Sequence, residues 1–401
     1  MSVLLPVEEA LAQVLASARP VQDTVKLPLL DAPGHVLAQD VVSPIDVPGD
    51  DNSAMDGYAL RASEAGQTLP VSQRIPAGVV GSALAPGTAA RIFTGAPLPP
   101  GADAVVMQEN CTERDGMVSV AGSVSVGQNI RPRGQDIAGG ATVLQRGRIL
   151  RPQDIGLLAS IGHGTVSVYR PLRVAVLSTG DELVEPGSGE LHSGQLYNSN
   201  RYTLASLLRG LNLEFIDGGI VADDADITAR ALRDAASRAD CVITSGGVSV
   251  GDEDHVKNQV ERLGRLDLWK LAIKPGKPLA FGHIGDTPFI GLPGNPTSVF
   301  VTFCLIARPF LLKLQGLDEP ESPRLQARAA FNVDKPGSRQ DYMRVTLVNT
   351  SGGLQATGFS NQSSGVLSSV SYSNAFAVIP PGTTVSEGDL VEVIPLDSLA
   401  R

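Results

Sequence analysis

From Arg173 to about Leu317 the chain alternates unbroken apolar runs with amphipathic stretches, and no other property limits its fold so strongly. Val174-Ala175-Val176-Leu177 carries no polar interruption, so both faces of that strand must be covered. Leu204, Leu207, Leu208 and Leu211 recur at helical spacing after Asn198 to Asn200. Phe215-Ile216 begins a second strand, Ile227 to Ala239 a second helix, Cys241-Val242-Ile243 a third strand and His255 to Leu263 a third helix. Strands buried on both sides and separated by helices predict a parallel sheet in a three-layer α/β domain over residues 171–318. In such sheets ligands sit beyond the carboxyl ends of the strands.

The rest of the chain has a different texture. Val7, Leu11, Val14 and Leu15 place residues 7–18 on a helix, and residues 46–136 are short β-like runs broken by Gly and Pro, which predicts an inserted β domain. Segments 1–45 and 137–170 read as a mixed α/β linker domain, with a helix from Pro152 to Ser160 whose proline suits a first turn. After Gly316 the β pattern returns in runs such as Ala375-Phe376-Ala377-Val378-Ile379, which predicts a small C-terminal β-barrel over 319–401. The expected architecture is multidomain, α/β plus β.

Charge excludes several classes of function. With 401 residues and a net charge of -10, the chain lacks the basic excess of a nucleic-acid or anionic-membrane binder, so any anion site must be local. Cys111, Cys241 and Cys304 have no paired spacing for a disulfide framework or a thiolate zinc site. The first twenty residues lack a basic leader, and the apolar run Val299 to Ala307 is too short to span a bilayer, so a cytoplasmic protein is expected.

Each strand of the α/β segment exits into a polar, glycine-containing loop, and all three loops should meet at one rim. Ser245-Gly246-Gly247 can expose backbone N–H groups to phosphate oxygens. Asp181, Glu182, Asp224, Asp252 and Asp254 would repel a phosphate unless a hard cation such as Mg²⁺ lay between them. Lys274 and Lys277, held among prolines and glycines, offer positive charge to a compact oxyanion, and Asn295 as N-cap with Pro296 as first helical residue opens a helix nearby. The set suits cleavage of a phosphate link by positioning and charge neutralisation. Plainer readings stand beside these: a simple turn at Ser245-Gly246-Gly247, helix caps at Asp223-Asp224 and Asp252 to Asp254, surface charge at the lysines, and structural roles for His163, His255 and His283.

Four stretches carry a resemblance: Ser178-Thr179-Gly180-Asp181-Glu182-Leu183, Ser245 to Gly251, Lys274-Pro275-Gly276-Lys277-Pro278 and Gly291-Leu292-Pro293-Gly294-Asn295-Pro296. With Asp51 to Ala59, Thr94-Gly95-Ala96-Pro97, Arg131 to Ile137 and Asn361 to Gly365, they resemble the molybdopterin molybdenumtransferase (MoeA) family and its relative, the gephyrin E domain. Pro132, Gln135, Asp252 and Ser363 depart from the family's usual residues. The resemblance implies an elongated homodimer whose α/β domain is similar to the molybdopterin adenylyltransferases. It implies that adenylated molybdopterin and molybdate give molybdenum cofactor and AMP with Mg²⁺. Asp181, Glu182, Asp224 and Asp254 would ligate or position the metal, and Gly246, Gly247, Ser249, Lys274, Lys277, Pro293, Asn295, Pro296 and Ser364 would bind substrate. Asp56, Thr94, Arg131 and Asp136 would line a facing wall, with Asp56 completing the active site across the subunit interface. Contacts with molybdopterin adenylyltransferase and apo-molybdoenzymes are implied as well. The adenylyltransferase step, an assembly scaffold without catalysis, and tungstate in place of molybdate are the alternatives.

Overall fold

Apolar strands flanked by helices do build a three-layer body, in a computed structural model that describes residues 4–248, 255–318, 320 and 322–399. Its six-stranded sheet runs Glu214–Val221, Arg173–Thr179, Cys241–Ser245, Thr287–Leu292, Ala280–Ile284 and Gly264–Trp269. The first four strands are parallel, as continuous apolar runs require. The last two are antiparallel additions, so the all-parallel expectation is corrected at this edge. The Thr287–Leu292 strand returns from Ala280–Ile284 through a tight turn at Gly285, whose φ is 58°, and a hairpin cannot be parallel.

Two apolar layers sandwich the sheet. On one face Val174, Val176, Cys241 and Ile290 pack against Leu204, Leu208 and the helical stretch from Val299 to Leu314. On the other, Ala175, Leu177 and Val242 pack against Leu232, Ala235, Val256 and Val260 of helices Ala225–Arg238 and His255–Leu263. Pro296–Leu314 is the one helix among the described residues long and apolar enough to cross a membrane, but 94% of it is buried inside this fold. It runs past Arg308-Pro309 through a π-helical turn at Phe303–Ala307, where the Arg308 N–H donates to the Phe303 carbonyl.

Helix Val7–Ser17 buries Val7, Ala10 and Val14 in the core of the α/β body, which differs from the linker-domain placement expected for residues 1–45. A separate core of Leu29, Leu37, Leu144, Leu150, Leu158 and Val168 joins the segments around Thr24–Pro28 and Thr142–Tyr169. The Asp240 carboxylate anchors that region to the sheet by accepting from Arg170 Nη1 at 2.8 Å, Arg173 Nη2 at 3.1 Å and the Arg173 backbone at 2.8 Å. These partners hold its pKa at about 2 despite burial.

A six-stranded sheet including Gly57–Leu60 and Ala89–Ile92 forms the inserted β region. Near the C-terminus, Gln340–Thr350, Gly353–Gly358, Leu325–Ala329, Leu390–Pro395 and Ala375–Ile379 close into a ring through pairing of the first and last strands. That is the predicted barrel. Ile273–Lys274 adds in parallel to its Gln340–Thr350 strand.

Candidate active site

The carboxyl ends of the parallel strands open into one cavity of about 600 Å³ lined by Thr179, Gly180, Glu182, Asp223, Gly246 and Gly247 and by the Pro293-Gly294-Asn295-Pro296 turn. Gly246 and Gly247 adopt φ of 91° and 66°, a region costly to side-chain-bearing residues. A Cβ on Gly246 would lie 2.7 Å from the Thr179 carbonyl oxygen, and one on Gly247 would lie 2.8 Å from Thr179 Oγ1. The Gly246 N–H donates to the Leu292 carbonyl at 3.1 Å, tying this turn to the neighbouring strand end. Asn295 caps the helix beginning at Pro296 without a side-chain hydrogen bond to it, which leaves its amide available to the cavity.

The acidic loops meet at the same rim. The Asp223 N–H donates to Asp181 Oδ1 at 3.2 Å, and Asp223 and Glu182 both line the cavity. Loss of hydration among the loops pushes the Asp223 carboxyl up, and the negative charges of Asp181 and Glu182 push it further, although the residue stays exposed at the mouth.

Asp224 has a different task. Its Oδ1 accepts from the N–H groups of Asp226 at 2.9 Å and Ile227 at 2.8 Å, capping helix Ala225–Arg238. The Ile227 N–H foremost holds its carboxyl below the usual range. Asp224, expected at the metal, spends one carboxylate oxygen on its helix cap and does not line the cavity, whereas Asp223 before it does. Ser249, Asp252 and Asp254 lie outside the described residues. Among the described residues no three His, Cys, Asp or Glu side chains are grouped closely enough to form a finished metal site.

The lysines divide. Lys274 Nζ donates to Asp341 Oδ2 of the barrel at 2.7 Å and does not line the cavity. Its expected place at the oxyanion is thus taken by an ion pair in this chain. Lys277 is exposed without an ion-pair partner among the described residues and sits beside Pro278, which does line the cavity. The Ser364 carbonyl accepts from the Thr297 N–H at 3.1 Å, so its loop packs on the helix start and its side chain is not part of the lining.

Asp56, Thr94, Arg131 and Asp136 belong to the inserted β region, and none lines the rim cavity within one chain. Asp56 Oδ1 accepts from the Thr94 N–H at 2.8 Å and from Thr94 Oγ1 at 2.7 Å, which joins two of the sequence motifs and lowers the Asp56 carboxyl. Arg131 pairs with Asn52 across a short ladder, and the Asp136 N–H donates to the Val47 carbonyl at 2.9 Å. Thr179, Asn198, Asn200 and Asp223 also line the cavity, although the sequence motifs do not single them out as ligand-binding. The signal for them was the polar run at a strand end feeding a helix, which marks a loop without saying which side chains turn inward.

Three family models match in chain order: the MoeA N-terminal region (domain I and II) over residues 5–162, the probable molybdopterin binding domain over 175–313, and the MoeA C-terminal region (domain IV) over 326–396. A molybdopterin molybdenumtransferase of Haemophilus influenzae is 41% identical across 99% of this chain and 100% of its own length. The chain belongs to the MoeA family. Membership in the MoeA family makes it a transferase of molybdenum cofactor biosynthesis, as its motifs implied. A second relative, molybdopterin molybdenumtransferase 2 of Mycobacterium tuberculosis, is 37% identical over 86% of this chain and 87% of its own. The fold agrees too: the crystal structure of the molybdopterin biosynthesis MoeA protein from Pyrococcus horikoshii OT3 matches with a TM-score of 0.87 at 32% identity, covering 98% of this chain and 100% of that one.

Proposed function

We propose that the rim cavity takes adenylated molybdopterin and molybdate and yields molybdenum cofactor and AMP. The observation that carries this reading is the convergence, in one cavity, of a glycine turn suited to phosphate oxygens with the carboxylates of Glu182 and Asp223, the second bonded through its N–H to Asp181. Like charges held this close favour either a proton or a cation among them, and hard oxygen donors suit Mg²⁺. Glu182 and Asp223 on the cavity wall would offer carboxylate oxygens to Mg²⁺, which when bound offsets phosphate charge. Gly246 and Gly247 let the phosphoanhydride approach the backbone, and the Pro293–Pro296 turn lines the same cavity. Lys277, exposed and next to the cavity-lining Pro278, is a cation without an ion-pair partner among the described residues and would meet the oxyanion. As an oxygen of water or molybdate forms a new P–O bond at the molybdopterin phosphorus, the P–O–P link breaks and AMP leaves with the bridging oxygen.

In the same proposal the molecule is a homodimer, with Asp56, Thr94, Arg131 and Asp136 of one subunit facing the rim of the other. It works in the cytoplasm between a molybdopterin adenylyltransferase and apo-molybdoenzymes, and tungstate could replace molybdate. Purified protein given adenylated molybdopterin, Mg²⁺ and molybdate should release AMP, and Asp223→Asn or Lys277→Ala should abolish release without unfolding. Unchanged release in both variants removes these roles. A monomer mass by light scattering removes the shared site.

A further inference from the structure

The turn that carries Asp56 is held through its side chain and through its backbone. Asp56 Oδ1 takes both donors of Thr94, the N–H at 2.8 Å and the hydroxyl at 2.7 Å. Oδ2 accepts no hydrogen bond among the described residues, so it is the oxygen left for a ligand.

Two further residues grip the backbone of the turn. The Gln108 N–H donates to the Asp56 carbonyl at 3.0 Å, and Arg91 Nη1 donates to the Gly57 carbonyl at 3.1 Å. Arg91 Nη2 donates to Gln108 Oε1 at 2.5 Å, so one planar guanidinium joins the Gly57 carbonyl to the residue that holds the Asp56 carbonyl. Strand pairing sets Arg91 opposite Tyr58, and its Cζ lies 5.1 Å from the Tyr58 ring centre and 4.8 Å from that of Phe93. Two rings thus keep the fork in place. A Cβ on Gly57 would lie 1.9 Å from the Val106 carbonyl oxygen, so the gripped backbone already lies against strand Ala104–Met107.

Arg91 spends a charged fork on neutral partners. Among the described residues it forms no ion pair, and its two terminal nitrogens serve a carbonyl and an amide oxygen. Its positive charge adds, after the two Thr94 bonds, to the lowering of the Asp56 carboxyl. Neither Arg91 nor Gln108 lines the rim cavity of its own chain. What they share is the Asp56 turn.

We infer that Arg91 and Gln108 are positioning residues for Asp56, gripping its turn so that Oδ2 stays presented to the rim of the partner subunit. This deepens the proposed function and rests on the shared site proposed there. A carboxylate displaced by about 1 Å loses much of its alignment with a reacting group. The loss falls on the rate of the chemical step more than on substrate affinity.

Arg91→Lys keeps the charge but loses the fork, and Gln108→Ala keeps the backbone bond to Asp56 but loses the tether of Arg91. In AMP release from adenylated molybdopterin by the full chain, each should lower kcat about tenfold with KM within about threefold, at an unchanged urea midpoint. Gln108→Glu keeps an acceptor for Arg91 and should recover most of the rate. Added to Asp56→Asn, Arg91→Lys should cost less than about twofold more, because it acts through a carboxylate already gone. Unchanged kcat in both single variants, or losses that multiply when Arg91→Lys joins Asp56→Asn, overturns the inference. A crystal structure of Arg91→Lys reads the geometry without turnover. Asp56 Oδ1 should part from Thr94 there, and an unmoved carboxylate overturns the inference as well. Failure of the proposed function is read separately, as absence of AMP release by the unaltered protein.

Discussion

Lys274 and Asp341, 67 residues apart, form an ion pair of 2.7 Å that joins the α/β body to the C-terminal barrel. The lysine is half exposed and the aspartate mostly buried, with Asp341 Oδ1 left unpaired. Pairs so open to solvent contribute ~0.2–1 kcal/mol.

Asp341→Asn should therefore cost less than about 1 kcal/mol in urea unfolding, while freeing the ammonium. Molybdate should then bind more tightly by calorimetry. Unaltered affinity means that Lys274 serves only the domain contact.

Neighbouring aspartates should separate two properties. Asp224→Ala removes a helix cap and should cost about 1 kcal/mol, with Mg²⁺ binding little changed. Asp223→Asn should do the reverse. Because the folded Asp223 pKa is raised above 3.8, its charged form is disfavoured in the fold, and stability falls as pH rises through that folded value. Its amide variant should melt at a higher temperature at pH 7 without metal, yet bind Mg²⁺ about tenfold more weakly or worse. Equal Mg²⁺ affinity in the two variants contradicts the assignment.

At Gly247 a side chain meets both strain and contact. A Cβ there would lie 2.5 Å from Val256 Cγ2, at φ 66°. Gly247→Ala should destabilise by about 2–3 kcal/mol in denaturant melts. A variant as stable as the parent would show that the turn can relax, and the tight backbone surface would lose its rationale.

Asp240 gives an acid limit. Its pKa of about 2 is below the ordinary 3.8, so its stabilisation is complete above that ordinary value and is lost as pH falls through about 2. Asp240→Asn should lose about 2 kcal/mol at pH 7 and show a flatter stability curve in acid. An unchanged acid transition assigns that transition to other carboxylates.

Much of this protein was legible in its amino-acid order because the signals are local. Unbroken apolar runs such as Val174 to Leu177 demand cover on both faces, Pro152 and Pro296 begin helices where a first turn tolerates them, and Gly246-Gly247 marks a turn that only glycine adopts easily. Tertiary structure decided which side chains serve the cavity. Asp223 and Asp224 are chemically identical, and only the helix frame that claims the second turns the first toward the rim. Lys274 looked free until the barrel supplied Asp341, and Asn200 found the Gly294 carbonyl only through the fold. Periodicity and backbone dihedrals are properties of short segments, whereas the direction of a side chain and the partner it finds depend on segments far away in the chain.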